Sequence, residues 1–176
     1  MITDQDLIHE NLKSVASHMI MAARTAPKAR AKDYLFAAIF EGKEIQTLAE
    51  IMIQKGRDKN LHFFERDGHN LETTEILVIL GTSIKPLNLP ECGFCGFDNC
   101  DEKRNHPDVP CAFNTGDLGI AVGSAVSVAM DHRVDNRIMF TAGKAALEAG
   151  LLPEDVKIAY GIPLSAAKKN PYFDRK

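Results

Sequence analysis

The chain has 176 residues, 45% of them hydrophobic, which is enough to bury the core of one ordinary domain. With 26% charged residues and a formal net charge of -3 it offers no general attraction to nucleic acid, and it lacks the uninterrupted apolar run of about twenty residues that a membrane-spanning helix requires. The acidic opening Met1-Ile2-Thr3-Asp4-Gln5-Asp6 has no basic-then-apolar export pattern, so we expect one cytoplasmic domain over residues 1–176 whose thiols stay reduced.

From Asp4 to Thr25 the apolar residues Leu7, Leu12, Val15, Ala16, Met19, Ile20 and Ala23 recur at spacings of three and four, which predicts an amphipathic helix capped by Asp4 or Asp6. Pro27 ends it. The basic residues Lys28, Arg30 and Lys32, and later Lys168, Lys169, Arg175 and Lys176, read as solvated surface. Tyr34 to Phe40 is a short apolar run closed by Glu41-Gly42 and predicts a buried strand, with a helix as the alternative. Glu44 to Lys55 repeats the helical pattern, with Gly56 as its C-cap. A short helix is expected between Asn60 and Glu75, then a buried strand over Ile76-Leu77-Val78-Ile79-Leu80-Gly81.

Residues 82 to 114 are rich in Pro, Cys, Gly and Asn and predict a long loop, a feature that compact domains keep mainly for function. Asp117 to Met130 predicts a buried helix whose Gly119, Gly123, Ser124 and Ser127 let another backbone approach. A further helix is expected over Ile138 to Leu147, ended by Gly150, and a last strand from Val156 that stops at Pro163. Helices and strands mixed in this way point to the α+β class.

All four cysteines fall within the loop, as Cys92-Gly-Phe-Cys95-Gly-Phe-Asp-Asn-Cys100 followed by Cys111. Thiolates are soft anionic ligands that suit zinc or an iron-sulfur cluster and do not suit calcium or magnesium. Structural zinc favours two Cys-x2-Cys pairs, whereas one close trio and a more distant fourth ligand is the arrangement of a four-iron cluster. We therefore expect a 4Fe-4S cluster on Cys92, Cys95, Cys100 and Cys111, within a cluster-binding loop of residues 88–114. Zinc is the alternative, and disulfides a third. Gly93 and Gly96 can turn backbone N–H groups toward the sulfurs, and Phe94, Phe97 and Phe113 either wall the site or pack as ordinary core. Asp98, Asp101 and His106 are substitute ligands only if they are not plain solvated loop residues.

The Cys92 to Cys100 string resembles the Cys-Gly-x-Cys-Gly-x-x-x-Cys opening of the four-iron domain of several anaerobic electron-transfer and corrinoid proteins, in which the last cysteine lies further on than Cys111 does. Through Asp117-Leu-Gly-Ile-Ala-Val-Gly-Ser-Ala125, Asp135-Asn-Arg-Ile-Met139 and Tyr160-Gly-Ile-Pro-Leu-Ser165 the chain is similar to a prokaryotic family described as containing a ferredoxin domain. The order of elements from residue 117 to Pro163 is also similar to the second half of FMN-dependent nitroreductases. That resemblance implies a mixed sheet flanked by helices, a homodimer, and FMN at the subunit interface. Their arginine-rich phosphate-binding motif has no match here, though Arg24, Lys28 and Arg30 lie in a comparable region.

The six histidines are dispersed, no hydrolase constellation or phosphate loop is present, and Glu65, Asp67, Glu72 and Glu75 read as surface charge. The expected function is electron transfer, as part of a reductase or alone, with a redox protein or small-molecule acceptor as partner. The rivals are a zinc-stapled binding module and a flavoenzyme.

Overall fold

The apolar run after Glu75 has no alternation because both of its faces are covered. In the computed structural model, which describes residues 1–173 apart from the Asp6 side chain, the elements in chain order are α1 (Asp4–Thr25), β1 (Leu35–Glu41), α2 (Lys43–Asp58), α3 (His62–Glu72), β2 (Ile76–Thr82), α4 (Cys100–Arg104), α5 (Ala112–Asp131), β3 (Asp135–Asn136), α6 (Phe140–Glu148) and β4 (Ile158–Ser165). The sheet order is β1-β2-β4-β3, and every pairing is antiparallel, where a mixed sheet was expected. Every residue of β2 is buried.

Alternation along β2 divides the interior into two cores. Ile76, Val78 and Leu80 meet Leu12, Ala16 and Met19 of α1 and Leu118, Ala121, Val122 and Ala125 of α5. On the opposite face Leu77 and Ile79 meet Leu48 and Met52 of α2, Phe64 and Leu71 of α3, and Ala142, Ala145 and Ala146 of α6. The molecule is therefore a three-layer α/sheet/α arrangement. Among the described residues no helix is long and apolar enough to cross a membrane.

Several boundaries differ from expectation for tertiary reasons. β1 is an edge strand with only Leu35 and Phe40 buried, so the expected buried strand is half covered. Helix α2 runs through Gly56 to Asp58, and an added Cβ at Gly56 would lie 2.6 Å from the Glu65 amide nitrogen, so this glycine admits α3 and caps nothing. Strand β4 continues past Pro163. Gly161 exchanges both backbone hydrogen bonds with Met139 (2.9 and 2.8 Å), so the nitrogen two residues on also faces away from β2. Pro163 thus removes no bond from the β2 ladder, and the strand persists.

Asp67 is 4% exposed, not a surface charge: it accepts from Thr141 Oγ1 of α6 at 2.8 Å and from Arg66 at 2.7 and 2.9 Å. Glu65 does stand at the surface, where the Arg57 hydrogen bond (2.8 Å) holds its carboxyl below the usual range. Lys168 and Lys169 are exposed as expected; Arg175, Lys176 and the Asp6 side chain lie outside the described residues.

Tyr172 closes the second core at 2% exposure, and burial pushes its phenol from 10.0 up to about 12. A raised value means that the folded state favours the neutral phenol. The contribution is complete below pH 10 and is lost as pH rises from there through about 12, by up to ~1.4 kcal/mol per unit. Replacing Tyr172 by Phe should flatten the fall of the melting temperature above pH 10; an unchanged alkaline slope would refute this.

Candidate metal centre

The chain leaves β2 at Ser83, crosses to α4 without regular structure, and returns to α5. Asn99 starts α4 by accepting the Asp101 and Glu102 amides, each at 2.9 Å, which satisfies two of its open N–H groups. The loop is tied to the segment after α1. Arg30 donates to the carbonyls of Leu87 (3.0 Å) and Asn88 (2.8 Å), and the Asp117 carboxylate of α5 receives the Ala29 amide at 3.1 Å on both oxygens. Arg104 reaches the Asn88 side chain.

Within this frame all four cysteines are free; Cys92, Cys95 and Cys100 are half-buried, and Cys111 is buried at the N-cap of α5. Among the described residues no three His, Cys, Asp or Glu side chains are gathered as a metal-holding group. Gly93 and Gly96 have φ of 60° and 85°, yet the Gly96 amide donates to the Gly93 carbonyl at 3.0 Å, closing a turn. Phe94 is 76% exposed and stacks on Phe113 at 5.7 Å, so it is not core, and Phe97 stacks on His106 at 4.9 Å. Asp98, Asp101 and His106 are exposed; Asp101 pairs with Arg104.

The donor set fits a soft metal or an iron-sulfur cluster in kind: four cysteines unpaired in any disulfide, all on one loop anchored at both ends. The polar framework around the loop is also incomplete, since the buried Ser83 Oγ and Asn114 Oδ1 have no partner among the described residues. Drawing the thiols together would be coupled to metal binding, as in other metal-organised segments.

Sequence reasoning missed Lys103, which is 2% exposed and donates to the Ile84 carbonyl at 3.0 Å, and missed the clamps made by Arg30 and Asp117. A lysine among surface-type neighbours carries no burial signal of its own. Among the described residues, five of the seven buried polar ones, Thr82, Ser83, Lys103, Asn114 and Asp117, nonetheless lie within or beside the cysteine loop.

Beside the loop runs an apolar groove of about 470 Å³ between Pro27, Ala29, Phe94, Phe113, Gly116 and Ile120. The basic residues near it are engaged: Lys28 caps α1 through the carbonyls of Ala23, Arg24 and Ala26 (2.7–3.1 Å), and Arg24 holds Asp33 and the Leu35 carbonyl. The expectation of a buried α5 holds for Leu118, Ala121, Val122 and Ala125, but its glycine side is open. An added Cβ at Gly116, Gly119 or Gly123 would meet nothing within 4 Å, and Ile120 and Met130 are 47% and 62% exposed.

A family described as "Uncharacterized protein containing a ferredoxin domain (DUF2148)" matches residues 107–175. The match takes in Cys111 and the three strings at 117–125, 135–139 and 160–165, and begins after Cys100. An uncharacterized protein of Archaeoglobus fulgidus is 35% identical over 184 residues, covering 99% of this chain and 97% of that one. Among solved structures, the nitroreductase CinD of Lactococcus lactis aligns with a TM-score of 0.64 at 11% identity, covering 89% of this chain and 79% of that one. The FMN-dependent nitroreductase NfnB of Mycobacterium smegmatis gives 0.59 at 13%, covering 89% and 78%. A nitroreductase of Saccharomyces cerevisiae gives 0.58 at 12%, covering 87% and 80%. At such identities the likeness is one of fold, and the fold is nitroreductase-like α+β.

Proposed function

This chain belongs to the family of uncharacterized proteins containing a ferredoxin domain, and on that premise we propose that it is an iron-sulfur protein of electron transfer whose 4Fe-4S cluster is held by Cys92, Cys95, Cys100 and Cys111. The observation that carries this reading is the thiol set: every cysteine of the chain is free and lies on one anchored loop. We take residues 88–114 as the cluster-binding part of a single domain over 1–176.

When bound, a cluster of this kind supplies single-electron uptake and release. The chain does the rest. Cys111 precedes the twenty-residue α5, whose positive end favours an anionic thiolate there. Arg30 and Asp117 fix the loop against the segment after α1, which limits how far the thiols must travel to converge. The half-exposed Cys92, Cys95 and Cys100 leave the centre within reach of a redox protein or a small-molecule acceptor.

A second reading adds FMN, as the resemblance to nitroreductases implies. The apolar groove along Phe94 and Phe113 favours it, while Arg24, Lys28 and Arg30 are already engaged with backbone carbonyls. The open glycine side of α5, with Ile120 and Met130 beside it, supports a homodimer, because small residues let a second backbone approach closely.

One preparation tests these readings. Protein purified without oxygen and reconstituted with iron and sulfide should hold about four of each per chain and scatter light as a dimer. Protein that retains neither iron nor sulfide sinks the proposal; stoichiometric zinc in their place would support the zinc-stapled module, and FMN released on denaturation would support the flavoenzyme.

A further inference from the structure

Lys103 lies on α4 three residues after Cys100, so its side chain leaves the same face as that thiol. It is 2% exposed, and its ammonium, with three protons to donate, has the neutral Ile84 carbonyl as its acceptor at 3.0 Å. Among the described residues no carboxylate stands within 4.0 Å of it and no cysteine sulfur accepts a hydrogen bond from it while the thiols are apart, and its acidic helix neighbours are occupied: Asp101 with Arg104, Glu102 with the Asp98 amide at 2.9 Å. An ammonium removed from water is strongly penalised unless an anion compensates it. The loop's other carboxylates, Glu91, Asp98 and Asp108, are exposed to solvent, which leaves the thiolates, once gathered, as the anions suited to a buried partner.

We infer that Lys103 is the buried counter-charge of the thiolate centre, a positioning residue that offsets the net negative charge four thiolates impose on the group they bind. The inference rests on the thiol-centre reading above. It gives Lys103 two separable effects. Its hydrogen bond to Ile84 refers α4, and with it Cys100, to the end of β2. Its charge, in a site of low dielectric, favours the more negative reduced state and so raises the reduction potential.

The test uses the full chain, reconstituted without oxygen, as wild type, Lys103→Gln and Lys103→Arg. Gln keeps a donor for the Ile84 carbonyl and removes the charge; Arg keeps the charge. The readouts are the midpoint from a mediated spectroelectrochemical titration, the rate at which a chelator strips iron, and the melting temperature of the metal-free protein. For Gln we expect the reduced-to-oxidised ratio at a fixed potential to fall about tenfold, which is 59 mV for a one-electron couple, and iron loss to quicken severalfold, with metal-free melting no lower than wild type because an uncompensated buried charge is gone. Arg should restore both.

A folded Gln variant with the wild-type midpoint and iron retention overturns the inference and leaves the cluster standing. So does a variant whose metal-free melting falls while its midpoint holds, because that is the mark of a tether alone. If Gln does not fold, Lys103→Met, which replaces a buried ammonium by an apolar chain, is read by the same criteria. Wild-type protein that binds no iron, sulfide or zinc overturns both this inference and the thiol-centre reading. If zinc is the metal bound, a tenfold faster loss of zinc from Gln supports the inference and an equal rate overturns it.

Discussion

Gly143→Ala is expected to lower the melting temperature by roughly 8–16 °C or to prevent accumulation of folded protein. An added Cβ would lie 1.9 Å from the Ala159 carbonyl oxygen, 2.2 Å from its carbon and 2.7 Å from the Tyr160 nitrogen, all of them backbone atoms of the adjoining strand β4. No side chain can rotate away to relieve that overlap. Helix α6 lies on β4 through this glycine, and a Cβ at Gly161 would in turn sit 2.6 Å from the Ala142 side chain. Accommodation requires moving α6 bodily off the sheet, with loss of the packing that Ala142, Ala145 and Ala146 make in the second core. Such overpacking exceeds the usual range and should cost about 4 kcal/mol, a large part of the 5–15 kcal/mol that holds a domain folded. At about 2–4 °C per kcal/mol for a chain of this size, the shift follows. A melting temperature within two or so degrees of wild type would contradict the α6–β4 contact.

Serine at any of Cys92, Cys95, Cys100 or Cys111 is expected to reduce the iron retained after desalting by at least about tenfold, because loss of a direct ligand should exceed the 10–100-fold effects of groups that merely support ligands. The metal-free proteins should separate into two groups. Cys92, Cys95 and Cys100 are half-buried on a loop outside both cores, so their serine variants should melt within about 0.5 kcal/mol of wild type. Cys111 is 7% exposed at the start of α5, and its variant should lose on the order of 1 kcal/mol from burying a hydroxyl in place of a thiol. Iron and sulfide determination beside a thermal melt reads both quantities. A Cys111→Ser protein carrying the full complement would remove Cys111 from the ligand set, the more pointedly because the resembling four-iron domains place their last cysteine further along.

The elements that were legible in the sequence are those whose signal is local. The three-and-four spacing of Leu12, Val15, Ala16 and Met19 places α1 at Asp4–Thr25, and the β-branched run Ile76 to Leu80 marks β2. The mistaken boundaries all depend on a distant partner. Gly56 looks like a helix stop until α3 is seen to need the space, and Pro163 looks like a strand end until its nitrogen is seen to face away from β2. α5 begins at Ala112, inside the expected loop, because Asn114 and Asp117 are polar residues that the surrounding chain buries. The candidate site was legible as a cysteine pattern and a family resemblance, since thiols at short spacing are conspicuous. Its supports were not: Arg30, Asp117 and Lys103 are ordinary surface types until contacts as far away as Ala29 with Asp117 give them a place.

The strand that both cores share has a thermodynamic consequence. Because Ile76, Val78 and Leu80 belong to one core and Leu77 and Ile79 to the other, neither layer of helices can detach without opening the backbone that seals its opposite. The two cores therefore behave as one cooperative unit, and the amides of β2 should exchange with solvent only through global opening. The cysteine segment from Cys92 to Cys100 lies outside both cores and is tied to this unit by side-chain bonds, from Arg30 to Leu87 and Asn88 and from Lys103 to Ile84, so it should open at a lower free energy than the sheet. A metal centre placed there could be assembled, damaged and rebuilt while the rest of the molecule stays folded.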